Sequence, residues 1–216
     1  RRSCQCYDQA CESHFGWHFL RSLVERGLKG VQLVISDAHE GLKAAIGQAL
    51  SGAAWQRCRV HFMRNVLAHV PKRDKALVAA AIRTIFAQSD REAARQQLAE
   101  VVKAMRSRWP QAAEILERAK DDILAYMAFP QKHWTRIYST NPLERLNKEV
   151  KRRTNVVGVF PDQPAVLRLA GSILMEIDDE WQAADRRYFS LDTMRELTHP
   201  EAFLEDLGPL RLAPIP

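Results

Sequence analysis

A short, almost continuous apolar run near the start of the chain restricts its fold more than any other segment. The run is bounded by Gly30 and Ser36, and its apolar members are Val31, Leu33, Val34 and Ile35. Strands of parallel sheets are covered on both faces, so they read as apolar runs and not as alternating patterns. The run therefore predicts a buried parallel strand. Its partner strand must be reached by a crossover connection, usually a helix.

Helical patterns stand on both sides of this strand. The segment "FGWHFLRSLVERGLKG" before it carries apolar residues at helical spacing, and "HEGLKAAIGQAL" after it does the same. A second short strand is predicted in "AAWQRCRV", and "HFMRNVLAHV" returns to a helical pattern. This alternation of helix and strand predicts an α/β fold.

The pattern changes between Lys72 and Phe129. This span holds three amphipathic helical segments and no strand signal: "KALVAAAIRTIFAQ", "REAARQQLAEVVKAMRSRW" and "QAAEILERAKDDILAYMAF". We interpret it as an all-helical insertion. After it, "HWTRIYST" is predicted to be an exposed linker. Two further helices are predicted in "NPLERLNKEVKRRT" and "PAVLRLAGSILMEIDDEWQAAD", and the Pro-rich tail "LGPLRLAPIP" is predicted to be loose.

Composition narrows the functional classes. The 216 residues are 46% apolar, enough for the core of one domain with a large insertion, and the net charge of +6 favours a polyanion such as nucleic acid as partner. No run of 18 apolar residues occurs, which excludes a membrane-spanning helix, and no signal peptide opens the chain. We therefore expect a cytoplasmic protein in which Cys4, Cys6, Cys11 and Cys58 are free thiols.

Asp37 directly follows the predicted strand, where two interpretations compete. Ligands of open α/β sheets gather at the carboxyl ends of strands, so a carboxylate there is well placed for chemistry. The spacing Asp37-x-x-Glu40 also fits a capping box, in which Asp37 is the N-cap of the next helix. From the residues alone, the cap is favoured.

Glu144 raises the same question within a basic helix. Asn141 suits the N-cap, Pro142 the first helical position and Glu144 the third, so Glu144 could close a capping box. Around a stripe of Leu143, Leu146 and Val150, however, stand five cations against two acids. This excess of positive charge favours contact of the cations with phosphates. The cations are Arg145, Lys148, Lys151, Arg152 and Arg153. Pairs such as Glu144 with Lys148 are the alternative.

The spacing Cys58-x-x-His61 is a third group of interest. Two ligands cannot complete a structural zinc site, which needs four. From the residues alone, a buried thiol and a hydrogen-bonded histidine at a strand-to-helix junction are favoured.

Together these motifs resemble a known family. The strings "GVQLVISDAHEGLKAAI", "WQRCRVHFMRNVL" and "STNPLERLNKEVKRRTNVVGVFP" are similar to the Mutator-type transposases of bacterial insertion sequences, over about Trp17 to Leu197. The resemblance implies an RNase H-like core, here partial, interrupted by the helical insertion and followed by helices. It also implies a bacterial, nucleoid-associated protein that binds the ends of its insertion element and target DNA, as a homo-oligomer or in association with a full-length transposase.

The resemblance further implies a catalytic triad of two aspartates and a glutamate that binds two Mg²⁺ ions. The second aspartate corresponds to Asp37 and the glutamate to Glu144, while Cys58 and His61 match the C-x-x-H signature of the superfamily. Such a site cuts and joins DNA strands by two-metal phosphoryl transfer. We therefore expect the two carboxylates to approach within about 10 Å of each other.

Five segments are expected along the chain. They are a junction segment over residues 1–16, the first part of the RNase H-like core over 17–71, the helical insertion over 72–130, the continuation of the core over 131–200 and a loose tail over 201–216. The first aspartate of the triad finds no counterpart with a buried strand before Trp17, so we expect an amino-terminally truncated and inactive fragment. Two other interpretations stay open. One is a non-catalytic remnant that binds DNA or a full-length transposase and interferes with it, and the other is an unrelated α/β protein whose acids are helix caps.

Overall fold

The structure is a computed structural model that describes residues 5–184, 188, 189, 194 and 197, with side chains described from Phe15 onward. The chain divides into two compact units, with the division between Ser139 and Thr140. Cys4, the side chains of Cys6 and Cys11, and the tail over 201–216 lie outside the described residues, so the predictions for them stay predictions.

Two parallel strands joined by a helix form the sheet of the first unit. The elements in chain order are α1 (Gln5–Glu25), β1 (Leu33–Ser36), α2 (Glu40–Ala49), β2 (Ala54–Arg57) and α3 (Arg59–Ala68). The strands pair in parallel, with Leu33 opposite Ala54 and Ser36 opposite Arg57. Both strands and their crossover helix lie where the sequence predicts them, so the α/β prediction is confirmed for this βαβ unit.

An apolar cluster covers one side of this unit, where α1 packs on α2. Leu20 of α1 meets Ala45 and Ile46 of α2 and Trp55 of β2, with Val34 of β1 packed against them. Burial of each large apolar side chain stabilises the fold by about 1.5–3 kcal/mol. Because α1 begins at Gln5, the segment predicted as a junction is helical from that residue.

Helices alone fill the span from Lys72 to Phe129. They are a 3₁₀ turn (Lys72–Asp74), α4 (Lys75–Phe86), α5 (Arg91–Arg106), α6 (Pro110–Arg118), α7 (Lys120–Ile123) and a second 3₁₀ turn (Ala125–Ala128). Buried side chains at helical spacing, such as Ile82, Leu98 and Leu116, join α4, α5 and α6. The helical character predicted for this fully described span is confirmed, whereas its role as an insertion stays a prediction.

This helical span is attached to β2 through a buried polar side chain. Gln56 is 0% exposed. Its amide nitrogen donates to the carbonyl oxygens of Arg57 at 2.6 Å and Ile123 at 3.2 Å, and its Oε1 accepts from the backbone N–H of Tyr126 at 2.8 Å. The amide thus satisfies backbone groups of the turn that follows α7, at a place where water cannot reach them.

The segment after the helical span is not the exposed linker that the sequence suggested. It forms a 3₁₀ turn (Gln131–His133) and α8 (Trp134–Ile137), and His133, Ile137 and Ser139 are buried. The Trp134 indole N–H donates to the Phe129 carbonyl at 2.6 Å, and its ring packs edge-on against Tyr126 at 5.5 Å. The packing of Trp134 on the preceding turn accounts for this burial. The sequence did not indicate it, because polar residues stand between the aromatic ones in this segment.

Two long helices make up the second unit: α9 (Asn141–Val157) and α10 (Gln163–Ala183). Both are predicted from the sequence and are confirmed. Asp162 is the N-cap of α10, and its Oδ1 accepts from the Ala165 N–H at 2.7 Å. Gly158 ends α9 with φ of 75°, a conformation that costs glycine little and other residues much more.

Replacing Gln56 with methionine should destabilise the protein with little change in shape. The nearly isosteric side chain leaves the Tyr126 N–H and the Ile123 carbonyl without their buried partner, which we expect to lower the free energy of unfolding by about 2 kcal/mol or more. Urea denaturation followed by circular dichroism measures this loss. Gln48→Met, at an exposed position of α2, is the matched control and should stay within about 0.5 kcal/mol of wild type. Equal stability of both variants would contradict the role given to Gln56.

Candidate functional site

Asp37 lies immediately beyond the carboxyl end of β1 with an exposed side chain. Its Oδ1 accepts from the Ala38 backbone N–H at 2.8 Å, and its Oδ2 accepts no hydrogen bond from a described residue. The Asp37 carbonyl accepts from the Ser36 hydroxyl at 2.9 Å and from the His39 N–H at 3.0 Å. The backbone is therefore held on both sides while one carboxylate oxygen is left for a ligand.

The cap that the sequence assigned to Asp37 belongs to His39. α2 begins at Glu40, and the Nδ1 atom of His39 accepts from the Leu42 N–H at 3.3 Å. The capping interpretation of Asp37 is wrong because the helix starts three residues after it. Glu40 then falls at the first helical position, where it cannot complete a capping box with Asp37. The carboxylate of Asp37 is thus not used to start the helix.

A buried hydrogen bond fixes the strand end that carries Asp37. The Trp55 indole N–H donates to the Ser36 hydroxyl oxygen at 2.8 Å, and Ser36 is itself bonded to the Asp37 carbonyl. Both Ser36 and Trp55 are buried. This chain of hydrogen bonds restricts the backbone at Asp37, as a preorganised site requires.

Charged side chains from β2, α2 and α7 surround the same end of the sheet. The Nζ atom of Lys43 lies 3.2 Å from both carboxylate oxygens of Asp122 and 4.4 Å from the centre of the Trp55 ring. Burial raises the pKa of Asp122, and Lys43 and Arg57 oppose that shift. Burial lowers the pKa of Arg57, against the negative charges of Asp37, Asp122 and Glu40.

Asp122 was not identified from the sequence. It stands in the span read only for its helical pattern, 79 residues after Lys43, its partner in the ion pair. No spacing rule connects residues so far apart, and Asp122 appears in the sequence as one of several charges on a helix. Only the packing of α7 against β2 brings it to the end of the sheet.

Cys58 and His61 stand at the junction between β2 and α3. Cys58 is 0% exposed, and its backbone N–H donates to the Ser36 carbonyl at 2.7 Å, so it continues the pairing of the strands by one residue. His61 is half-buried in the first turn of α3. The predicted buried thiol at a strand-to-helix junction is confirmed, whereas the function of the pair stays a prediction.

Glu144 lies in the first turn of α9, but the helix begins one residue earlier than predicted. Its N-cap is Thr140 and not Asn141. The Glu144 carboxylate accepts from the Thr140 hydroxyl at 3.0 Å, and its N–H donates to the Thr140 carbonyl at 3.0 Å. The capping box based on Asn141 is therefore wrong, because Asn141 is already helical. Asp37 belongs to the first unit and Glu144 to the second, and their predicted proximity stays a prediction.

Two of the five cations of α9 are paired within the helix. Glu149 accepts from Arg152 at 2.7 and 3.0 Å and from Arg153 at 3.0 Å, and Arg153 also lies 3.0 Å from Glu176 of α10. The hydrogen bonds from Arg152 and Arg153 lower the pKa of Glu149 to about 2. Because that pKa is depressed, the pairs persist at neutral pH and break only as the pH falls toward 2.

The other three cations form no ion pair with any described carboxylate. They are Arg145, Lys148 and Lys151, so the alternative pairing of Lys148 with Glu144 is wrong. The apolar stripe is less buried than predicted, since α9 contains no buried residue and Leu143 is 56% exposed. The positive charge of this helix that is not paired with a described carboxylate is therefore concentrated on three side chains.

Comparison with known proteins defines the class. Residues 6–184 match the family model described as "Transposase, Mutator family". The chain belongs to the Mutator family of transposases. It is 47% identical over 186 residues to the transposase of insertion sequence IS1081 from Mycobacterium tuberculosis, which covers 86% of this chain and 45% of that protein.

Two further relatives give the same result. The transposase of ISRM5 from Rhizobium meliloti is 40% identical over 186 residues, covering 86% of this chain and 46% of that protein. The transposase of IS256 in transposon Tn4001 from Staphylococcus aureus is 37% identical over 187 residues, covering 85% and 48%. The chain thus spans about half the length of the curated relatives it matches. Among its described residues, no helix is both long and apolar enough to cross a lipid bilayer.

Removing the three unpaired cations of α9 should reduce the salt dependence of DNA binding. Each phosphate contact contributes a slope of about 0.9 in a plot of log affinity against log salt, so the triple alanine variant of Arg145, Lys148 and Lys151 should lose up to that amount per residue. Fluorescence anisotropy with a labelled duplex over a salt series measures the slope. The double alanine variant of Arg152 and Arg153 is the matched comparison and should change the slope less per substituted residue, because Glu149 and Glu176 already pair with these side chains. A larger loss of slope per substituted residue in the double variant than in the triple variant would contradict the assignment of Arg145, Lys148 and Lys151 as the phosphate-binding cations.

Proposed function

We propose that this chain is part of an insertion-element transposase that cleaves and joins DNA strands and is required for transposition of its element. The observation that carries the proposal is the placement of Asp37, an exposed carboxylate at the carboxyl end of a parallel strand that no helix cap uses. Ligands of open α/β sheets bind at such strand ends. Membership of the Mutator family supports the same activity.

In this proposal the βαβ unit is part of an RNase H-like core. The support is a parallel pair of strands, a crossover helix between them, and an acidic residue after the first strand. Cys58 continues the strand pairing beside Asp37, and we assign Cys58 and His61 to positioning the strand-to-helix junction next to the reacting groups.

Asp37 and Glu144 would hold divalent ions. Carboxylate oxygens are the ligands that Mg²⁺ prefers, and the free Oδ2 of Asp37 fits that use. When bound, two Mg²⁺ ions supply an activated attacking hydroxyl and a stabilised leaving oxygen for in-line displacement at phosphorus. The residues of the chain provide the fixed geometry: the Ser36–Trp55 hydrogen bond holds the strand end, and the Thr140 hydroxyl orients the Glu144 carboxylate.

The substrate in this proposal is DNA, at the ends of the insertion element and at the target site. Arg145, Lys148 and Lys151 supply the positive surface that such a polyanion needs. Relatives that match most of this chain are named as transposases of insertion sequences. Association with a second copy or with a full-length transposase belongs to the same proposal. The alternative function is that of a non-catalytic DNA-binding module that interferes with a full-length transposase.

Substitution of the two carboxylates tests the metal site. Asp37→Asn and Glu144→Gln keep the size of each side chain, and neither removes a helix cap, because His39 and Thr140 occupy those positions. Loss of a residue that only supports a metal ligand costs about 10–100-fold in affinity, so loss of a ligand should cost no less. Titration of Mn²⁺ by electron paramagnetic resonance measures the affinity. Glu100→Gln and Asp179→Asn, both exposed, are the controls and should bind like wild type.

Two further measurements separate catalysis from binding alone. Cleavage of labelled element-end DNA with Mg²⁺ that disappears in Glu144→Gln would establish catalysis by this chain. Metal-dependent DNA binding that both substitutions abolish, without cleavage in wild type, would support the non-catalytic module. Unchanged Mn²⁺ affinity in both variants would refute the assignment of Asp37 and Glu144 as metal ligands.

A further inference from the structure

Arg57 occupies the position next to Asp37 on the neighbouring strand. It is the last residue of β2 and lies opposite Ser36, the residue that precedes Asp37. Its guanidinium carbon lies 5.1 Å from the centre of the Phe62 ring, and the side chain is half-buried. Stacking on an aromatic ring restricts the plane of a guanidinium group, so Phe62 holds Arg57 in one orientation at the end of the sheet.

Arg57 has no anionic partner within the described part of the chain. No described carboxylate lies within ion-pair distance of it, and its guanidinium donates no hydrogen bond to a described residue. Its Nε atom is also shielded from solvent. A partly desolvated cation is costly unless an anion or acceptor compensates it. This distinguishes Arg57 from Lys43, which is paired with Asp122 at 3.2 Å.

The net charge around Arg57 depends on whether a divalent ion is bound at Asp37. The carboxylates that act on it are Asp37, Asp122 and Glu40, and with Lys43 and Arg57 they sum to three negative and two positive charges, a net of −1. Asp121, which also lies near Asp122, is paired with Arg95 at 2.6 Å and is left out of this sum. A phosphate would be repelled by that balance. A divalent ion held by Asp37 changes the sum to +1 and makes the same place attractive to a phosphate, because a bound ion dominates the local field.

We propose that Arg57 binds the DNA phosphate group that is engaged by the divalent ion at Asp37. The inference rests on the proposed function, since it requires both the ion and the DNA. Arginine suits this role because its planar fork can donate two parallel hydrogen bonds to phosphate oxygens. Arg57 would therefore contribute to DNA affinity only when the ion is bound, unlike the cations of α9, which act with or without it.

The test measures DNA affinity with and without a divalent ion. Ca²⁺ takes carboxylate and phosphate oxygens as ligands and serves as the probe, with EDTA as the metal-free condition. In anisotropy titrations with a short labelled duplex, wild type should bind more tightly in Ca²⁺ than in EDTA. Arg57→Ala should lose about tenfold or more of the affinity in Ca²⁺ and none in EDTA, as expected for charge-assisted hydrogen bonds. Arg83→Ala, at an exposed arginine of α4, is the matched control and should keep the Ca²⁺ effect.

A second variant protects the test against loss of folding. Arg57→Lys keeps the charge and most of the apolar stem but cannot form the bidentate contact, so it should fold like wild type and still lose part of the Ca²⁺ effect. Thermal melting of each variant confirms folding. If Arg57→Lys and wild type show the same Ca²⁺ effect, the bidentate phosphate contact is refuted.

The remaining outcomes separate this inference from the proposed function. Absence of any Ca²⁺ effect in wild type overturns both, because the metal site itself would then fail. A Ca²⁺ effect that persists in Arg57→Ala and vanishes in Asp37→Asn overturns the role of Arg57 alone. Equal loss of affinity in Ca²⁺ and EDTA makes Arg57 an ordinary surface cation. If Arg57→Ala binds Mn²⁺ more tightly and DNA with unchanged affinity, Arg57 only balances the charge of the neighbouring acids. Each of these last two results overturns the proposal.

Discussion

The parallel pairing of β1 with β2 is the constraint on which the rest of the first unit depends. Four residues of each strand pair in register, and the Cys58 N–H extends the pairing to the Ser36 carbonyl. A two-stranded sheet is marginal by itself, so it needs packing on its faces. α1 and α2 cover one side through Leu20 and Ile46, and the pairing in turn brings Asp37, Arg57 and Cys58 to one end of the sheet.

Polar contacts link the helical span to that end. Gln56 satisfies backbone groups beside α7, and Lys43 pairs with Asp122 of the same helix. A half-satisfied buried amide would be costly, so the Gln56 contacts specify one arrangement of α7 on β2. A segment that looks in sequence like an independent helical region thereby contributes a charge to the surroundings of Asp37.

Ion pairs among the described residues divide the cations of α9 into two that are paired and three that are not. Glu149 pairs with Arg152 and Arg153, and Arg153 also pairs with Glu176, a contact that joins α9 to α10. Surface pairs of this kind contribute little to stability, typically below about 1 kcal/mol, but they decide which cations are available to a polyanion. The positive charge that stays unpaired within the described part of the chain is carried by Arg145, Lys148 and Lys151.

The sequence by itself determined most of the longer helices, both strands and the family, because these depend on periodicity and on motifs that extend over a few residues. Tertiary structure decided the rest. Whether Asp37 caps a helix depended on where α2 begins, and the burial of Ile137 and Ser139 depended on packing against the turn around Tyr126. The place of Asp122 beside Arg57 joins residues far apart in the chain, and no local pattern encodes such contacts, since they arise only when separate elements pack together.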